Sequence, residues 1–232
     1  MTTPPWMGRK LEAWYTRLHL CATQPSLSLM PGPTYMMPNA HPLILASTAP
    51  WRAELLRTRF IDFEAMAPPY DESFPTELKP SELALQHAAG KAGASAVLRP
   101  GAYILAADQT AEFRGRCLQK PADLAGCASQ LRQLQGDTHY LHSAVALYSP
   151  VQGEIKTRII SVTLTMKALS PTEIENYVHR DHPVGCVGGY KFECGGKALF
   201  HRIDQEESAI VGLPLNAVDE LLDEAGFIGG RT

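Results

Sequence analysis

Three acidic and three basic residues stand where phosphate and water chemistry could be assembled. Asp108 follows an apolar run in Ala106-Ala107-Asp108-Gln109-Thr110. An aspartate at the end of a strand lies where α/β folds gather ligand groups, and it can bind a divalent cation or activate water. Asp71-Glu72 adds a pair of carboxylates of the hard-oxygen kind that Mg²⁺ prefers. Ser47-Thr48-Ala49-Pro50-Trp51-Arg52 links a short apolar run to a segment opened by proline. Helix N-termini present unpaired N–H groups to anions, and Ala49 is a poor N-cap that leaves those groups open to a ligand. Arg52 adds a bidentate phosphate donor, and Lys91 and Lys120 supply further positive charge. Taken singly, each residue also has an ordinary reading: a surface arginine, a turn-capping aspartate, solvated lysines.

Other chemistries lack their residues. Gly189 to Ala198 is glycine-rich, but the G-x-x-x-x-G-K-[ST] spacing is absent and Lys197 precedes alanine. His139/His142 and His179/His182 lie three apart without a third ligand at zinc-site spacing. No G-x-S-x-G elbow marks a serine hydrolase.

The elements that must position these residues follow from hydrophobic periodicity and caps. Leu43-Ile44-Leu45-Ala46 reads as a short buried strand, and Pro50, at a first helical position where its missing N–H costs nothing, opens a helix to Arg57. A helix is expected over Glu82–Leu98 and a second apolar strand over Tyr103–Ala107. Pro121 opens a helix with Leu124, Ala128, Leu131 and Leu134 at helical spacing, which Gly136 can end. Two longer strands are expected over His139–Tyr148 and Glu154–Met166. Ser170-Pro171-Thr172-Glu173 is a capping-box signature for a helix to about His179. A glycine-rich loop over 185–196 and a helix over Pro214–Glu224 complete an α/β pattern with some antiparallel pairing.

The 232 residues, 45% hydrophobic and 19% charged, can fill a core and exclude a disordered, collagenous or coiled-coil chain. With 21 Lys+Arg against 24 Asp+Glu, no basic excess marks a nucleic-acid or membrane-surface partner. No run of about 20 apolar residues reads as a transmembrane helix. The five cysteines, without a C-x-x-C pair, fit reduced thiols of a cytoplasmic protein. Residues 1–40 hold Arg9, Lys10 and Arg17 against Glu12, and residues 22–42 are uncharged and proline-rich. We expect a poorly ordered leader over 1–40, with Met36 or Met37 as alternative starts, ahead of one domain over 41–232.

Together, and in order, these segments resemble the Maf family of nucleoside triphosphate pyrophosphatases. The matching pieces are Leu43 to Arg52, Tyr70-Asp71-Glu72, Gly90-Lys91-Ala92, Ala107-Asp108-Gln109, Lys120-Pro121, Gly189-Tyr190-Lys191-Phe192-Glu193 and Val211-Gly212-Leu213-Pro214-Leu215. The resemblance implies a Maf-like (inosine triphosphatase-like) α/β fold, two lobes around a central cleft, and a homodimer. It implies cleavage between the α- and β-phosphates, with Asp108 catalytic, Ser47, Arg52, Lys91 and Lys120 on the phosphates, and Glu72 with Asp108 holding a divalent cation, Mg²⁺ or Mn²⁺. Trp51, Gln109 and Glu193 match the branch that acts on 7-methyl-GTP; the dTTP/UTP branch carries arginine, threonine and glutamine there. The family is also linked to arrest of septum formation, a non-catalytic alternative. Ala49, Gly90 and Cys194 depart from the family pattern, which has serine, an acidic residue and glycine.

A chain beginning at Met37 is expected to unfold cooperatively and retain full activity, because the uncharged, proline-rich stretch offers no packable face. Loss of solubility or activity in that shortened chain would place the leader on the domain.

Overall fold

A computed structural model describes residues 41–60, 62–72, 78–204 and 207–230; the expected leader lies outside them. The elements in chain order are Leu43–Ala46 (β1), Pro50–Arg57 (α1), Glu64–Met66 (β2), Pro80–Leu98 (α2), Tyr103–Phe113 (β3), Arg116–Leu118 (β4), Leu124–Leu134 (α3), Thr138–Ser149 (β5), Glu154–Met166 (β6), Pro171–Asp181 (α4), Phe200–Asp204 (β7), Glu207–Val211 (α5) and Leu215–Glu224 (α6). Among the described residues, no helix is long and apolar enough to cross a membrane.

The strands form one mixed sheet in the order β2-β1-β3-β5-β6-β7, with β4 also on β3. β1 runs parallel to β2 and β3, and the remaining pairs are antiparallel. Side chains alternate across a strand, and β3 shows the consequence. Ile104 and Ala106 pack under α2 with Ala88, Ala92 and Ala144. Tyr103, Leu105 and Ala107 face the other way, against Leu56 of α1 and Leu221 of α6. Further along, Ala111 and Phe113 join a separate cluster with α3, α4 and the 185–200 segment. One lobe gathers around β1, α1, α2 and α6, the other around α3, α4 and α5, and the 12- and 13-residue strands β5 and β6 run through both.

The cleft between the lobes has a topological origin. On the edge of β3 away from β5, β1 pairs with residues 103–106 and β4 with 111–113. Residues 107–110 therefore lack a strand neighbour on that edge among the described residues, while β5 supports them behind. Asp108 and Gln109 sit in this gap.

Two expectations are corrected here. Asp108 does not end its strand: β3 continues to Phe113. Polar side chains at 108–110 suggest a turn, but each finds a buried partner; Thr110 Oγ1, for example, donates to the Pro80 carbonyl at 2.8 Å. The helix expected from Pro121 starts instead at Leu124, because Asp123 caps it, accepting from the Gly126 N–H at 2.7 Å. The capping box at Ser170 and Glu173 forms as expected.

His139 and His142 point to opposite faces of β5, as a spacing of three in a strand requires. His142 lies between Ser161 Oγ and Glu112 Oε2, at 2.8 and 3.0 Å. His139 is wholly buried against Tyr190 and Phe200. Burial pushes its imidazole down to about 4 from an ordinary 6.5. Below pH 6.5 the unfolded chain thus binds a proton that the folded chain refuses. Stability should fall by about 3 kcal/mol as pH drops from about 6.5 to about 4. Unfolding of wild type and His139→Phe at both ends of that window checks this; equal pH slopes in the two proteins would contradict it.

Candidate active site

The gap in β3 opens on a cleft of about 360 Å³, within the range of small-molecule sites. Its walls come from the turn after β1 (Ser47 to Arg52), from Glu72, Lys91, Asp108 and Lys120, and from Cys186, Tyr190, Phe192 and Glu193 of the glycine-rich segment. Ser47, Trp51, Arg52, Glu72, Lys91, Asp108, Gln109, Lys120 and Glu193 all come to this one cleft. Asp71, exposed and outside its lining, is not part of it.

The centre is an ion triad, buried at Lys91 and Asp108 and partly exposed at Glu72. Lys91 Nζ lies 2.6 Å from Asp108 Oδ1 and 2.6 Å from Glu72 Oε1, and Lys91 and Asp108 are each only 6% exposed. α2 carries Lys91 toward β3, while Glu72 arrives from the segment before α2. Burial raises the Glu72 carboxyl, but the Lys91 hydrogen bond and the charges of Lys91 and Lys120 outweigh it, leaving it below the usual range. Lys120 Nζ stands 3.9 Å from Glu72. Lys91 therefore ties two carboxylates together, whereas the sequence suggested a simple phosphate donor.

Gly90 explains how Glu72 arrives. A Cβ at position 90 would fall 2.2 Å from the Tyr70 ring. The ring fills that space and stacks edge-on against His87 at 5.7 Å, with its hydroxyl 3.2 Å from His87 Nδ1. An acidic side chain there would displace Tyr70 and, with it, the start of Tyr70-Asp71-Glu72.

On the opposite wall, the N-cap of α1 is Ala49, which makes no side-chain cap bond. Ser47 Oγ accepts from the Ala49 N–H at 3.2 Å and from Arg52 at 3.4 Å. Arg52 Nε donates to the Gly212 carbonyl at 3.0 Å, which anchors the guanidinium at the cleft. Burial lowers its pKa, against the opposing pull of Asp108 and Glu72.

Across the cleft, Glu193 is exposed and Trp51 half-buried. Gly189 takes φ 72° and presses its α-carbon on the Cys127 backbone, where a Cβ would stand 2.9 Å from the carbonyl oxygen. Cys194, by contrast, is not among the residues at positive φ, so the backbone does not demand glycine there. The Tyr177 hydroxyl accepts from the Lys191 N–H at 2.8 Å, and Asp181 accepts from the Gly195 N–H at 2.7 Å. Sequence reasoning missed these anchors, because their partners lie 14 residues away and are backbone atoms. Gln109, one of the three positions at which the sequence resembles the 7-methyl-GTP branch, has its amide committed to the protein: Nε2 donates to Ser143 Oγ at 2.7 Å and to the Ile210 and Ala209 carbonyls at 2.9 and 3.1 Å. Gln109 thus clamps α5, whose Ile210 and Val211 line the cleft.

The family model described as Maf-like protein matches residues 42–225. The chain belongs to the Maf-like family. A 7-methyl-GTP pyrophosphatase of Xanthomonas oryzae pv. oryzae is 40% identical over 194 residues, covering 83% of this chain and 98% of the relative. Proteins of the same name from Syntrophotalea carbinolica and Ralstonia nicotianae are 35% and 36% identical, covering 82% and 78% of this chain and 95% and 94% of their own.

In this Maf-like cleft, the donors available to a cation are Asp108 and Glu72. No group of three or more His, Cys, Asp or Glu is arranged around a metal position among the described residues. Two hard carboxylates fit Mg²⁺ or Mn²⁺, ions that fill their shell with water and substrate phosphates.

Removing the shared ammonium by Lys91→Met leaves two carboxylates facing each other. The variant should be about 3 kcal/mol less stable at neutral pH. Because Glu72 titrates below its ordinary range, its contribution is present above that range and lost as pH falls through its folded value. The deficit should therefore shrink at acid pH. A deficit that stays constant from pH 7 to pH 3.5, by urea unfolding, would show that Lys91 acts by packing alone.

Proposed function

We propose that the cleft hydrolyses 7-methyl-GTP, or a related modified nucleotide, to the monophosphate and pyrophosphate. The observation that carries this reading is that Trp51 and Glu193 line the same cleft as Arg52, Lys91, Glu72 and Asp108. An aromatic face and a carboxylate thereby share one site with phosphate-binding charge. A guanine methylated at N7 carries a positive ring, so stacking on Trp51 gains a cation–π contribution of about 0.5–2 kcal/mol. Glu193 accepts guanine N–H bonds while compensating that charge. The relatives named for this activity align over nearly their full length, which supports the same substrate.

At the other end, Arg52 and Lys120 hold phosphate oxygens, aided by Ser47 and the open N–H groups of α1. Asp108, fixed through one oxygen by Lys91, accepts the proton of the attacking water. The new bond forms at the α-phosphorus, the bond to the α–β bridging oxygen breaks, and pyrophosphate departs with the electron pair. A divalent cation held by Glu72 and Asp108 would offset phosphate charge. Displacements of this kind need positioning and charge neutralisation more than covalent catalysis. The free-thiol cysteines support a cytoplasmic setting, and the family resemblance supports a homodimer.

Two substitutions test the two ends separately. Asp108→Asn should abolish most turnover and leave the fold intact; near-normal turnover would remove Asp108 from the chemistry. Glu193→Gln keeps size and loses charge, so kcat/KM for 7-methyl-GTP should fall by about 1–3 kcal/mol, with much less effect on GTP. Equal losses for both nucleotides would contradict recognition of a cationic base.

A further inference from the structure

We infer that His139 is a positioning residue for base recognition: it holds the Tyr190 hydroxyl, and through it the turn that presents Glu193. The inference rests on the reading of Glu193 as the group that recognises the base. His139 lies on β5, fully buried, and is not among the residues lining the cleft. Its ring neighbours are aromatic, Tyr190 at 5.7 Å and Phe200 at 5.8 Å, surroundings that would suit an apolar residue. Instead an imidazole sits there with Nδ1 lacking a hydrogen-bond partner among the described residues. A buried unpaired nitrogen is costly, so its retention calls for an explanation.

The other nitrogen supplies one. Nε2 lies 2.8 Å from the Tyr190 hydroxyl. Tyr190 is itself buried, yet its ring reaches the cleft lining. It packs so closely on Gly188, at φ 81°, that a Cβ there would fall 2.5 Å from the ring. The next residue is fixed as well, since Lys191 N–H donates to the Tyr177 hydroxyl. The chain then turns, with the Cys194 and Gly196 N–H groups both donating to the Lys191 carbonyl. Glu193 lies within that turn. Two buried phenols thus pin consecutive residues at its base, and His139 is the partner that keeps the first phenol in the core. Burial depresses the imidazole to about 4, so at neutral pH it offers one donor and one acceptor, either of which suits a phenol.

The test is a double-substitution cycle with two readouts on the full chain: amide hydrogen exchange over residues 185–196, and kcat/KM for 7-methyl-GTP and GTP. His139→Phe and Tyr190→Phe each remove the bond and keep a ring. Each should speed exchange at Lys191 and Gly195 and lower the 7-methyl-GTP to GTP preference about fivefold. The double variant should be no worse than the more affected single variant, since one shared interaction is lost. His139→Gln, whose amide can still meet the phenol, should retain wild-type values and remains informative if His139→Phe does not fold. Unchanged exchange and preference in both ring variants, a fully additive double variant, or equal losses on the two nucleotides would overturn the inference. A wild-type enzyme without preference for 7-methyl-GTP would instead refute the substrate reading, and the exchange measurements would still decide whether His139 fixes the turn.

Discussion

One ammonium group, that of Lys91, lies within 2.6 Å of two carboxylates that could not otherwise approach each other. Like charges at such range raise each other's cost of ionisation, and burial adds to that cost. The cation between them removes the conflict, so the surrounding structure is arranged to bring all three together. α2 carries Lys91 over the sheet, and its run of buried alanines allows the close approach to Ile104 and Ala106. Gly90 leaves room for the Tyr70 ring, and that ring sets the path on which Glu72 follows. Asp108 completes the triad because β1 stops at Ala46 and leaves β3 uncovered on that edge.

The same gap organises the rest of the cleft. Gln109, next along β3, faces the opposite side of the sheet, where it holds the carbonyls at the end of α5. Arg52 reaches back to Gly212, just beyond that helix. The Arg52 guanidinium, the sheet edge and α5 are thereby joined by short polar bonds, whereas the far wall is tethered to α4 and β5 through the phenols of Tyr177 and Tyr190. A nucleotide spanning the cleft would touch both systems, charge at one end and an aromatic face with a carboxylate at the other.

Much of this was legible in the residues. Pro50 marked the start of α1, Ser170 and Glu173 the start of α4, and apolar runs the strands β1, β5 and β6. Asp108, Glu72, Lys91, Arg52 and Lys120 were singled out by type and spacing, and the family resemblance joined them. What was hidden depends on distant partners. β3 was cut short at Ala107 because the buried partners of Asp108, Gln109 and Thr110 come from elsewhere in the chain. The three-residue strands β2 and β4 and the five-residue α5 are too short to show a period. Lys91 read as a phosphate donor because the carboxylates that occupy it lie 17 and 19 residues away. His139 read only as a failed metal ligand, since nothing local shows that Tyr190 will come to rest against it.

On the proposed function, the cleft cuts a triphosphate between its first two phosphates and reads a positively charged base. The most direct measurement is product analysis with wild-type enzyme and Mg²⁺ or Mn²⁺ on 7-methyl-GTP, GTP, dTTP and UTP, following pyrophosphate and orthophosphate separately. The expected result is the highest kcat/KM for 7-methyl-GTP, with the nucleoside monophosphate and pyrophosphate formed in equal amounts. Orthophosphate as the product, or a preference for dTTP and UTP, would contradict it.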